Sequence, residues 1–97
     1  RLVVGPDDGR AEQIMPVDYV LDAVHEITGT GTLFPGADGR PVLHMHAACG
    51  RGDTAVAGCI RRGVRTWKVI EVVIMELVDS AARRRKDPGT GFELLEP

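Results

Sequence analysis

Residues 41–63 hold the feature that most constrains what this chain can fold into. Two largely apolar arms, Pro41-Val42-Leu43-His44-Met45-His46-Ala47-Ala48-Cys49 and Thr54-Ala55-Val56-Ala57-Gly58-Cys59-Ile60, flank the turn-forming cluster Gly50-Arg51-Gly52-Asp53. Apolar arms around such a cluster predict a β-hairpin. Side chains alternate between the faces of a strand, so His44 and His46 share one face and Leu43, Met45 and Ala47 the other. A turn centred between Arg51 and Gly52 sets His44 opposite Cys59 and Cys49 opposite Thr54. Directly opposed Cβ atoms stand about 4.5–5.5 Å apart. That spacing lets two imidazoles and a thiolate share one zinc ion, with Zn–N near ~2.0 Å and Zn–S near ~2.3 Å. Moving Cys59 to the other face removes the site, so the metal expectation rests on register. The competing reading makes the histidines two polar groups on a wet face and Cys59 a small buried apolar residue.

Ninety-seven residues permit one small domain spanning 1–97. Aromatic residues are only 4% of the chain, so Val, Ile, Leu and Ala must build its core. The formal charge of −2 gives no general attraction to nucleic acid or to an anionic membrane. Two cysteines, one of them a candidate ligand, do not make a disulfide framework, and a reducing, cytoplasmic setting is expected. No apolar run approaches the ~18 residues of a membrane span and no leader is visible. The start at Arg1, directly before Leu2-Val3-Val4, is read as following a missing upstream piece.

In chain order, residues 1–4 form the tail of a strand that ends in the turn cluster Gly5-Pro6-Asp7-Asp8-Gly9. A second strand is expected over residues 10–16. Residues 17–27 fit a helix or a strand, and periodicity does not choose between them. Gly29-Thr30-Gly31-Thr32 reads as β structure with close backbone approach. Residues 35–39 are a turn. Residues 64–78 are the longest apolar stretch, and their β-branched density favours a strand over a helix. Such a strand is apolar on both faces and needs cover on both. The basic run Arg83-Arg84-Arg85-Lys86, the turn Asp87-Pro88-Gly89-Thr90-Gly91 and a short strand or docking segment through residues 92–95 complete the chain. Asp53 and Asp87 are turn residues in this reading.

Three segments together resemble the plant- and prokaryote-conserved domain, abbreviated PPC or PCC. Gly39-Arg40-Pro41-Val42-Leu43-His44-Met45-His46 is similar to the family's Gly-x-Pro-Phe-Leu-His-x-His strand. Val56-Ala57-Gly58-Cys59-Ile60 stands where relatives often have Gly-Gly-His-Leu. Glu71 to Leu77 with Arg84-Arg85-Lys86-Asp87-Pro88-Gly89-Thr90-Gly91-Phe92-Glu93-Leu94-Leu95 follows the family's ending. The resemblance implies an α+β fold around an antiparallel sheet, with this chain predominantly β and assembled as a homotrimer. It implies that a family strand and helix precede the start of this chain, and that residues 20–33 and 64–78 are strands. It also implies a zinc site in which His44 and His46 match two family histidines, while Cys59 replaces the third and remains a competent ligand.

Three protein ligands leave a fourth zinc position open to a small ligand or to hydrolytic chemistry, and Glu26 is the candidate general base. His25 stands where relatives carry a carboxylate and receives no role. Two alternatives belong to other classes. One is DNA association through Arg61, Arg62, Arg83, Arg84, Arg85 and Lys86, although Asp38-Gly39-Arg40-Pro41 lacks the first arginine of an AT-hook. The other is a structural or interaction module.

Overall fold

A computed structural model describes residues 1–97. The chain is all β, with seven strands and no helix. The strands are β1 (Leu2–Pro6), β2 (Pro16–Tyr19), β3 (Glu26–Pro35), β4 (Pro41–Arg51), β5 (Thr54–Ile60), β6 (Arg83–Lys86) and β7 (Glu93–Glu96). Five form one sheet in the order β2-β1-β5-β4-β3, and β6 and β7 form a separate antiparallel ribbon. The expected β predominance is present, while the α part of the α+β label has no element within these residues. The chain divides into two units, residues 1–31 with 44–67 and residues 32–43 with 68–97.

The expected β4–β5 hairpin is the spine of the first unit, in a corrected register. Gly52 and Asp53 make a two-residue loop closed by the Arg51–Thr54 pair. Gly52 sits at the first central position with φ 62°, the left-handed conformation that a type II′ turn demands there. The Thr54 hydroxyl donates to the Arg51 carbonyl at 3.0 Å and fastens the closing pair. The turn therefore lies one residue later than the spacing predicted. His46, not His44, faces Cys59, and Cys49 faces Val56 rather than Thr54. Moving the centre by a whole residue displaces partners by two positions, so every side chain keeps its face.

One face of this sheet makes the core. Leu2, Ala47 and Cys49 are buried, and Leu21, Ile27, Met45, Val56 and Ile60 pack against them. The alternation of β4 sends Met45, Ala47 and Cys49 into this core and leaves His44 and His46 on the opposite face. On β5, Ile60 pairs with Leu2, while its neighbour Cys59 pairs with Val3 and His46. Full burial of a leucine side chain contributes about 1.5–3 kcal/mol. Leu2, with none of its surface exposed, is the main apolar anchor of the unit.

Three expected strands differ. The second strand begins at Pro16 rather than Arg10. Asp8 is the reason, since its carboxylate accepts from the Arg10 amide at 2.8 Å and its carbonyl from that of Ala11. Those bonds hold the backbone in a turn that competes with a ladder. The strand expected over residues 20–33 starts only at Glu26. Before it, the Val24 carbonyl accepts from the Arg51 guanidinium at 2.9 Å and the Ala23 carbonyl from His25 Nδ1 at 2.9 Å. Residues 64–78, expected as a long strand, form none. A strand exists only where another lies alongside to share its hydrogen bonds.

In the second unit, the predicted turn between β3 and β4 is present, with the Gly36 amide donating to the Arg40 carbonyl at 2.8 Å. The β6–β7 ribbon turns through Asp87, whose carboxylate accepts from the Thr90 amide and hydroxyl, each at 2.7 Å. Gly91 at φ 73° completes that turn.

Candidate metal centre

His44 and His46 lie two residues apart on β4, and register brings Cys59 of β5 onto their face. One ligand atom from each of the three side chains falls within 4.8 Å of the others. The two imidazoles meet through Nε2 atoms 3.1 Å apart, their rings tilted by 30°. That is a hydrogen-bonding distance for two ring nitrogens, with the roles of donor and acceptor set by the tautomers. Two nitrogens on one tetrahedral ion stand about 3.3 Å apart at ordinary Zn–N lengths. The pair is thus spaced for a shared ion with little movement. Cys59 is a free cysteine, 5% exposed, whose thiol points toward the Ile60 carbonyl at 3.9 Å. Two borderline nitrogens and one soft sulfur form a set suited to zinc, and the residues fit the ion.

Glycines let the neighbouring strands approach β4 and β5 closely, on the core face opposite the three side chains, where a Cβ on Gly29 would also meet Met45 and Ala47. A Cβ on Gly29 would stand 2.6 Å from the His46 carbonyl oxygen, and one on Gly31 2.8 Å from that of His44. The β3 backbone therefore lies directly against the two histidine positions, the close approach expected of the 29–32 run. On the other side, a Cβ on Gly58 would reach 2.5 Å from the Val3 carbonyl, so β1 closes tightly beside Cys59. Sequence reading assigned Gly58 only a place in a family motif. Its alternation between Ala57 and Cys59 carries no sign of the strand that will lie across it.

The remaining candidates are placed as follows. Glu26 opens β3 and is exposed, and the three gathered donors include no carboxylate. His25 is held by the Ala23 carbonyl. Asp53 occupies the second position of the hairpin loop. The hydrogen bonds from Thr90 hold the Asp87 carboxyl below the usual carboxylate range. Burial pushes the Cys49 thiol up, which keeps it neutral on the core face.

The arginines divide. Arg61 and Arg62 are exposed just after β5, in the first unit. Arg83, Arg85 and Lys86 are exposed on β6, with Arg85 ion-paired to Glu96. Arg84 is 6% exposed, donating to the Glu93 carbonyl at 3.2 Å and to the Thr32 hydroxyl at 2.8 Å, with its Nε unpartnered. Alternation along a short strand turns one cation of the run inward, away from any phosphate.

No helix is long and apolar enough to cross a membrane. The family model described as the Plants and Prokaryotes Conserved (PCC) domain matches residues 2–78. Neither a curated protein nor a solved structure matches the chain.

Proposed function

Because this chain belongs to the Plants and Prokaryotes Conserved (PCC) domain family, whose model spans both hairpin arms, we propose that it is a zinc-binding PCC protein. His44, His46 and Cys59 hold the ion, and copies of the chain assemble as a homotrimer. The observation that carries the metal reading is the convergence of three ligand atoms within 4.8 Å on one face of a hairpin. When bound, zinc supplies Lewis acidity at a fourth position not filled by these three side chains, open to a small ligand or to hydrolysis. The chain's own groups define the rest of the centre. His44 and His46 offer their Nε2 atoms, Cys59 offers a sulfur shielded from bulk water, and Gly29, Gly31 and Gly58 let the flanking strands lie close.

Metal content per chain, measured on protein without a histidine tag, tests the metal reading. One zinc per chain is expected in the wild type, with loss or strong weakening in Cys59→Ala and His46→Ala. Absence of metal from wild-type protein supplied with zinc overturns it.

A further inference from the structure

The corrected register brings one more side chain to the candidate metal centre. His46 faces Cys59, and continuing that pairing by two positions sets Arg61 opposite His44. The ladder between β1 and β5 does run this far. Beyond the Leu2–Ile60 pair, the Arg61 amide donates to the Arg1 carbonyl at 2.8 Å. Residues two apart on an extended chain share a face, so Arg61 emerges on the face of Cys59, His44 and His46. Cβ atoms stand about 4.5–5.5 Å apart across such a pair and about 6.5–7 Å apart between alternate residues of a strand. The centre therefore lies within reach of an arginine side chain.

No carboxylate answers this cation. The three gathered donors include none, and Arg61 is exposed and enters none of the ion pairs Arg1–Asp18, Arg40–Asp38 and Arg85–Glu96. Register does set one acidic residue on the same face. Asp18 pairs with Val3, and Val3 with Cys59. That carboxylate stands two strands from the sulfur and is already held by the Arg1 guanidinium at 3.1 Å. A divalent ion bound by one thiolate and two neutral imidazoles keeps one positive charge, and Arg61 adds a second. A cationic site without an acidic partner favours an anion. The guanidinium fork matches the paired oxygens of a carboxylate or a phosphate.

We propose that the open position of this centre receives a small molecule through its carboxylate or phosphate group, and that Arg61 is the residue that recognises the oxyanion. The inference rests on the zinc reading above and assigns the class of ligand.

Cobalt(II), which absorbs visible light when held by nitrogen and sulfur, replaces zinc as the probe. The full chain loaded with cobalt is titrated with acetate and with inorganic phosphate, beside Arg61→Gln and Arg62→Gln. The two variants lose the same charge from adjacent positions, so a general effect of charge would weaken both alike. One cobalt per chain is expected in all three proteins, with anion-dependent visible bands in the wild type. Affinity for the anion is expected to fall about tenfold in Arg61→Gln and to stay unchanged in Arg62→Gln. The tighter of the two anions identifies the group recognised. Bands that neither anion alters, equal affinities in wild type and Arg61→Gln, or equal losses in both variants overturn the inference and leave the metal site standing. A wild type that takes up no cobalt overturns the zinc reading and this inference with it.

Discussion

The β4–β5 hairpin and residues 64–78 are the two most apolar parts of this chain, and they end in opposite states. The hairpin arms are joined by a two-residue loop, so each arm is the other's nearest ladder partner. Local closure orders it at small entropic cost. Once it forms, β1 pairs with β5 on one side, and β3 lies along β4 on the other. Residues 64–78 are richer in β-branched side chains but have no strand beside them. Intrinsic β preference spans only about 1 kcal/mol and reflects packing against neighbours more than backbone preference. The difference teaches that apolar pattern states a need for cover, whereas pairing decides whether the same chain meets it.

That contrast can be broken most forcefully at its two extremes. Leu2→Ala, in the core, is expected to cost ~2–5 kcal/mol in chemical denaturation. Val73→Ala, read in protein dilute enough to be monomeric, is expected to stay within about 0.5 kcal/mol of wild type. Equal losses from the two would mean that residues 64–78 already have cover within the chain.

A smaller effect sharpens the hairpin side. Gly58→Ala places a methyl group where the Val3 carbonyl lies. Parting β1 from β5 to admit it is expected to cost ~1–3 kcal/mol and to weaken zinc binding by displacing Cys59. Thermal melting and zinc competition would check the two effects separately. A stability loss with unchanged zinc affinity would show that β1 does not position the sulfur.

The smallest effect concerns the β6–β7 turn. The Asp87 carboxyl is held below its usual range by hydrogen bonds from Thr90. Its folded-state pKa is thus depressed relative to the unfolded chain, so its contribution is complete above the unfolded carboxylate pKa. It is lost as pH falls through the lower folded value. Exchange of the Thr90 amide is expected to quicken across that acidic window once the intrinsic pH dependence of exchange is removed. The same window should be silent in Asp87→Asn.

Much of the candidate site was legible without the structure. Two histidines at spacing two share a face in any strand, and an apolar–turn–apolar pattern makes a hairpin of them. Cys59 was harder, because its face depends on where a four-residue turn cluster bends. The predicted centre was one residue early, yet the three candidate side chains still met because a whole-residue displacement preserves parity. The close approach of β3 could be expected from Gly29 and Gly31. The approach of β1 at Gly58 could not, since its partner is 55 residues away in sequence.

By itself, then, the sequence determined the alternation of β4, the turn chemistry at Gly52 and Asp87, and the β character of the chain, all products of local sterics and a two-residue period. Tertiary structure alone decided that Arg84 turned inward. It also decided that β1 would seal Cys59 and that residues 64–78 would find no strand partner. Each of these depends on which backbone groups lie opposite one another in space, and hydrogen-bond ladders are formed between segments, not within them.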